Sequence, residues 1–228
     1  MTGITVTPSR LADLPGLYRV CFLTGVSPSE ATDGRNPDLL GHIYAGPYVV
    51  HGAQSSHTGS AEWCRTVVGP GGVAGYLLAT PDTSAFESWA SREWWPALQR
   101  QYPLETQNPV QTQNPGQTQN PGHTHTPQAA ESADRELIGV LHDPPCSPAE
   151  LLSRFPAHLH IDLLAPARGV GLGGRLIREL ITGLRAAGVR GVHLGVGAEN
   201  ENAIGFYGHL GFTEELRTPE VVWMARAT

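Results

Sequence analysis

The sequence predicts a mixed α/β fold organised around one sheet. The last third of the chain alternates strand-like and helix-like runs in the order strand, helix, strand, helix, strand, strand. The first third carries a short alternating segment, an amphipathic helical stretch and a hairpin signal. With 228 residues, 40% of them hydrophobic, the chain has the size and apolar content of one domain with a real core, read here as spanning residues 1–228.

Ile4 to Thr7 alternates like a strand, and Leu14, Leu17, Val20 and Cys21 have helical spacing within Leu14 to Leu23. A helix is expected over Pro37 to Tyr44, with proline in its first turn. Tyr48 to His51 reads as a strand. Trp63 to Val68 and Val73 to Ala79 read as a hairpin closed by Gly69-Pro-Gly-Gly72, and Asp82 sits where its second strand ends. Ser84 is the expected cap of a helix bearing Phe86, Trp89, Trp94, Trp95 and Leu98, an aromatic stripe of the kind that packs a core or a lid.

Between about 106 and 130 the pattern changes. Thr106-Gln-Asn-Pro109, Thr112-Gln-Asn-Pro115 and Thr118-Gln-Asn-Pro121 repeat at a fixed period with almost nothing apolar to bury, so a disordered, low-complexity insertion is expected. Order should resume near Glu136, with Ser147-Pro-Ala-Glu150 capping a short helix. A strand is predicted from His158 to Leu164 and a helix from about Gly171 to Ala187, stopped by Gly188. A strand at Val192 to Val196, a short helix from Asn202 to Leu210 and strands at Phe212 to Leu216 and Val221 to Ala225 complete the chain.

Composition narrows the function. The net charge of −6 argues against general nucleic-acid or membrane-surface binding. All 15 basic residues are arginine, which excludes a Schiff-base lysine and a Walker A loop. Cys21, Cys64 and Cys146 are odd in number and widely spaced. They read as free thiols of a cytoplasmic protein, without metal-ligand spacing. The N-terminal MTGITVTPSR lacks the apolar run of a signal peptide, and no stretch approaches the ~20 apolar residues of a membrane-spanning helix.

The most informative segment is Arg168-Gly169-Val170-Gly171-Leu172-Gly173-Gly174, between a predicted strand and a predicted helix. Small residues there let backbone N–H groups converge on an anion, the helix N-terminus adds partial positive charge, and Arg168 adds a full one. That combination makes a pyrophosphate cradle. Gly169, Gly171 and Gly174 also satisfy the dinucleotide fingerprint G-x-G-x-x-G, with Glu199 as a stand-in for its acidic ribose ligand. Against that reading, Pro166-Ala-Arg168 separates the glycines from the strand, and too few strand–helix–strand units remain for such a sheet.

Arg168-x-x-Gly171-x-Gly173 resembles the acyl-coenzyme A motif of the GNAT acetyltransferase superfamily. Asn200-Glu-Asn-Ala203-Ile-Gly-Phe-Tyr207-Gly-His-Leu-Gly211-Phe212 resembles that family's second motif, in the family's order and at its usual separation. Leu39-Leu-Gly-His-Ile-Tyr44, Gly75-Tyr76, Asp82, Phe86 and the Trp-Pro at Trp95 are similar to the acetyltransferase-like C-terminal domain of O-GlcNAcases. One spacing departs from the pattern, since only Ala167 lies between Pro166 and Arg168 where the family usually has two residues.

The resemblance implies a mixed, mostly antiparallel sheet of about seven strands flanked by helices, with two central parallel strands splayed to admit pantetheine. It implies acetyl-coenzyme A as co-substrate, no metal, a primary amine as acceptor and direct transfer without a covalent enzyme intermediate; a homodimer is compatible with it. Backbone N–H groups near Leu163 and Leu164 would bind pantetheine. Asn200 would contact the coenzyme, and Tyr207 would contact it and protonate the departing thiolate. A base or water relay must also deprotonate the acceptor. Asp82, Asp162 and His160 are the candidates, and His158, His160 and Asp162 share one strand face by period-two alternation. His158-Leu-His160 is similar to the matching strand of serotonin N-acetyltransferase, where histidines are thought to relay protons. Tyr44, Tyr48, Trp89 and Trp94 are candidate walls of the acceptor pocket. Peptide lysine, polyamine, aminoglycoside and amino sugar are all open as acceptors. A rival reading is a catalytically degenerate binding module, which an intact Arg168-x-x-Gly171-x-Gly173 disfavours.

Overall fold

The computed structural model describes residues 3–25, 34–54, 63–104 and 127–228. Seven strands form one sheet in the order β1-β2-β3-β4-β5-β7-β6. They are β1 (Thr5–Pro8), β2 (Arg65–Gly69), β3 (Gly72–Thr80), β4 (Ala157–Leu163), β5 (Gly191–Gly197), β6 (Thr213–Arg217) and β7 (Val221–Ala227). Every neighbouring pair is antiparallel except the central β4 and β5. Most of the predicted repeat segment, through residue 126, lies outside the described residues.

Alternation along the strands builds two cores. Leu77, Ala79, Leu159, Leu194 and Val196 face α8 (Leu172–Ala186) and α9 (Glu201–His209). Helix α8 presents Leu172, Leu176, Ile177, Leu180, Ile181 and Leu184 as one buried stripe. Each such side chain contributes on the order of 1.5–3 kcal/mol on burial. On the opposite face Tyr76 and Leu78 pack with α1 (Leu14–Gly25), α3 (Gly46–Gln54) and α4 (Thr83–Trp89). A third cluster joins α2 (Leu39–Tyr44), α5 (Trp95–Gln101) and α6 (Pro127–His142) through Leu39, Ile43, Leu98 and Leu141. Among the described residues no helix is long and apolar enough to cross a membrane.

Five local expectations change. Tyr48 to His51 is part of helix α3, whose face of Gly46, Pro47, Tyr48 and Val49 is buried; packing overrides the β-leaning Tyr-Val-Val run. Asp82, not Ser84, caps α4, accepting the Ala85 N–H at 3.0 Å. The aromatic stripe runs over α4, a π turn at Ala90–Trp94 and α5 rather than one continuous helix. Helix α6 begins at Pro127, ahead of Glu136, with Leu137 and Leu141 docking its second half. Ser147 also makes no cap for α7 (Ala149–Arg154), because its hydroxyl bonds His193 and its N–H bonds Glu87 instead.

Candidate active site

Strands β4 and β5 pair only at Ala157↔Val192 and His158↔His193. Beyond His158 they run on, β4 to Leu163 held by β3 and β5 to Gly197 held by β7, with no ladder between them. The sheet therefore opens into a fork toward the C-terminal ends of both strands. The glycine loop and the α8 N-terminus stand at the mouth of that fork.

The loop has the geometry of an anion cradle. Gly169 and Gly171 take left-handed backbone angles, φ 76° and 74°, and a Cβ at either would meet nothing within 4 Å. The open space on their surface is where an anionic group fits. The first intrahelical bond of α8 runs from Arg175 N–H to the Gly171 carbonyl, which leaves the N–H groups of Leu172, Gly173 and Gly174 without helical acceptors. Gly173 is bare because Phe206 of α9 approaches to 3.3 Å of any Cβ there. The short spacing before Arg168 is absorbed by a 3₁₀ turn at Ala165–Ala167, and Arg168 folds back so that its Nε–H donates to the Leu163 carbonyl. Val170 is 57% exposed at the loop tip.

One expected donor is spent elsewhere. The Leu164 N–H bonds the Ala74 carbonyl at 2.8 Å, so it belongs to the sheet and is not offered to a ligand. By alternation the Leu163 N–H points the other way, toward the fork. Asn200 caps α9, its Oδ1 accepting the Ala203 N–H at 3.1 Å, which leaves its amide N–H groups as its donors at the mouth.

The three polar side chains on one face of β4 have different neighbours. The chemistry of His158 is fixed by its partners. Thr83 donates its hydroxyl to the Pro156 carbonyl at 2.6 Å, so it accepts from His158 Nδ1–H at 2.8 Å, and His158 Nε2 accepts the Tyr48 O–H. Burial, with His160 and His193 adding to it, holds His158 well below the usual histidine range, so this chain is neutral and complete. His193 is closed off similarly, Nδ1–H donating to the Phe155 carbonyl at 2.7 Å and Nε2 accepting from Ser147 at 3.2 Å.

His160 differs. Its ring lies between Tyr44 and Tyr48, with centroids at 5.5 and 5.3 Å, and its nitrogens have no hydrogen-bond partner among the described residues. Desolvation, aided by His193, pushes it down to about 4, so it presents a neutral imidazole at pH 7. Asp162, at the open end, accepts the Tyr76 O–H at 2.5 Å. Burial raises its carboxyl above the usual range, against the opposing pull of Tyr76, Thr24 and Arg168. Tyr207 of α9 is 9% exposed, and its hydroxyl has no hydrogen-bond partner among the described residues. Burial and the Asp162 charge raise its phenol, which keeps it protonated and able to donate.

The structure thus gathers Asp162, His160, Tyr207, Leu163 and the cradle around one fork. It does not bring Asp82 there. Asp82 is exposed and follows Thr80, which pairs with His158 at the closed end. About 17 Å of strand, five residues at 3.3 Å each, separates that end from Leu163. Of the expected walls, Tyr44 and Tyr48 flank His160. Trp89 and Trp94 instead stack on each other at 6.3 Å, their N–H groups donated to Gln54 and the His42 carbonyl. Sequence reasoning gave no role to Tyr76, Cys21, Thr83 or His193, whose partners lie far away in the chain.

Comparison with known proteins agrees with this geometry. A model of the acetyltransferase (GNAT) family matches residues 83–212. The O-GlcNAcase of Rattus norvegicus is 22% identical over 214 residues, which cover 92% of this chain but only 20% of that protein, so the chain spans about a fifth of its length. The crystal structure of SsHAT superposes with a TM-score of 0.72 at 26% identity, covering 99% of this chain and 98% of the other. PH1933 from Pyrococcus horikoshii OT3 shares the fold at a TM-score of 0.52 and 12% identity, over 99% of this chain and 98% of the other. The family model spans more than half of the 228 residues, and its span contains the fork, the glycine loop and α9: the chain belongs to the GNAT family of acetyltransferases.

Proposed function

We propose that this chain is an acetyl-coenzyme A-dependent N-acetyltransferase acting on a primary amine. The observation that carries the reading is the fork itself, with an anion cradle at its mouth and, within it, His160 and Tyr207 groups that have no hydrogen-bond partner among the described residues. The residues fit the coenzyme: Gly169 and Gly171 leave space where an anion's oxygens need it, and the α8 amides and Arg168 supply donors and charge. Bound there, acetyl-coenzyme A supplies an activated thioester. The Leu163 N–H is oriented to hold its pantetheine arm, and the Asn200 amide lies beside the mouth.

The chain's own residues supply the proton transfers. The amine's nitrogen forms a bond to the acetyl carbonyl carbon as the carbon–sulfur bond breaks. Tyr207 gives its phenolic proton to the departing thiolate. The proton lost from the amine passes to His160 or the Asp162 carboxylate, directly or through water. Asp82 has no part in this scheme, and His158 holds Tyr48 and Thr83 in place. An anionic carboxylate beside an aromatic-flanked imidazole favours a cationic amine, in keeping with all four acceptor classes above. We read residues 1–228 as one such domain, with the repeat segment inserted between α5 and α6, and a cytoplasmic setting.

The test is acetyl-dependent thiol release with a panel of primary amines, wild type against Tyr207→Phe. Turnover that falls in the variant while coenzyme affinity holds supports the reading. The match to O-GlcNAcase favours a second reading, a module that binds coenzyme without transferring its acetyl group. Tight coenzyme binding with no thiol release from any amine would select it.

A further inference from the structure

The buried face of the fork holds a hydrogen-bonded chain of which acetyl transfer, as proposed, uses only the Asp162 end. Tyr76 on β3 is fully buried, and its hydroxyl meets two groups, Asp162 Oδ2 at 2.5 Å and Cys21 Sγ at 3.1 Å. A carboxylate can only accept, so the single phenolic proton goes to Asp162. The Cys21 thiol must then donate to the Tyr76 oxygen. The direction Cys21 to Tyr76 to Asp162 follows from counting protons. Burial pushes the Cys21 thiol up to about 12, so it keeps the proton it donates. Tyr76 is itself held well above the usual phenol range by burial and by Asp162.

We infer that Tyr76 is a positioning residue for acetyl transfer: oriented by Cys21, it fixes the Asp162 carboxylate at the fork so that its second oxygen receives the acceptor ammonium. This rests on the proposed transferase activity. Three observations carry it. The Tyr76 side chain has no solvent contact, so its hydroxyl serves this pair alone. Tyr76 and Asp162 are register partners on adjacent strands, so the bond is built into the sheet. Asp162 lies on the same face as His160 and influences the Tyr207 phenol across the fork. The charged and titratable groups around Asp162 are His160 on its own strand, Tyr76 on β3, Cys21 on α1, Arg168 in the loop and Tyr207 on α9. Thr24 on α1 adds a hydroxyl.

Removing the phenolic donor leaves burial less opposed, so the Asp162 carboxyl should take up its proton at higher pH. The test uses the full-length chain as wild type and Tyr76→Phe, with Asp162→Asn to assign the carboxyl carbon resonance. The Asp162 titration is followed by NMR. In parallel the pH dependence of kcat/KM is measured with acetyl-coenzyme A and three probe amines: spermidine, phenethylamine and Nα-acetyllysine. The expected result for Tyr76→Phe is a midpoint raised by about one pH unit, from loss of one hydrogen bond to a charged acceptor. The acid limb of kcat/KM should move by the same amount, with unchanged coenzyme affinity. Cys21→Ala should shift both in the same direction by less, and it decides the matter if Tyr76→Phe does not fold. An unmoved midpoint, or a moved midpoint with an unmoved acid limb, overturns the inference while leaving the transferase reading intact. Wild-type protein that binds coenzyme but turns over none of the probes overturns both.

Discussion

The two ends of the β4–β5 pair have the same backbone and opposite chemistry. At the closed end, where His158 meets His193, every ring nitrogen has a partner: Tyr48 and Thr83 for one histidine, Ser147 and the Phe155 carbonyl for the other. At the open end the ladder stops, and polar atoms of His160 and Tyr207 have no partner among the described residues. The difference between the ends teaches that neighbouring histidines on one strand face need not share a role. One stabilises the sheet, and the other is the one we propose faces the chemistry.

The comparison breaks most sharply at the cradle. Gly171→Glu places a side chain at φ 74° and a negative charge in the space open to an anion. Calorimetry should show coenzyme affinity falling more than about 100-fold, the effect expected of like charge in a helix N-terminal anion site. Unchanged affinity would remove the loop from the site. Next, Tyr207→Phe should lower kcat by about 10²–10³-fold with little change in coenzyme affinity, the usual scale of a lost acid. Equal activity would exclude Tyr207 as the proton donor.

The histidine pair sharpens the contrast directly. His158→Ala should cost about 2–4 kcal/mol of stability, because it strands the Tyr48 hydroxyl and opens a cavity. His160→Gln should cost under about 1 kcal/mol, as expected where no hydrogen bond is lost, but it should slow turnover. Denaturant titration and rate measurements read the two effects separately, and the reverse pattern would invert the assignment.

The same residues predict a pH dependence. His158, His160 and His193 are all held below the ordinary histidine value in the folded state. The unfolded chain therefore binds more protons than the native chain once the pH falls below about 6.5. The stability these histidines contribute is full above that pH and is lost as the medium acidifies, for His160 down through about 4. The slope is about 1.4 kcal/mol per pH unit for each histidine kept neutral. A flat denaturation profile between pH 6.5 and 5 would contradict the burial of the closed end. The smallest effect belongs to Asp82→Ala, which should cost about 1 kcal/mol as a lost helix cap and leave turnover untouched.

Much of this site was legible in the sequence because it is local. The glycine loop is a contiguous strand–turn–helix segment, and Asn200 and Tyr207 fall on one short helix whose motif spacing fixes both. The period-two pattern put His158, His160 and Asp162 on one face. What alternation could not supply was the partner of each. Tyr48 lies 110 residues from His158 and Tyr76 lies 86 from Asp162, so only the folded sheet reveals which groups are spent. The same applies to Asp82. A strand-end aspartate reads alike as a base or a cap until the strand's direction places it at the closed end. Helix α3 was missed because Tyr-Val-Val suits either period, and burial against β3 chose between them.

The central claim is that the open end of the fork is a coenzyme site. It is tested most directly by calorimetric titration of the full-length protein with acetyl-coenzyme A, desulfo-coenzyme A and NAD. The account predicts tight, saturable binding of both coenzyme A ligands and no heat of binding from NAD. Silence from the coenzyme A ligands, or binding of NAD in their place, would contradict it.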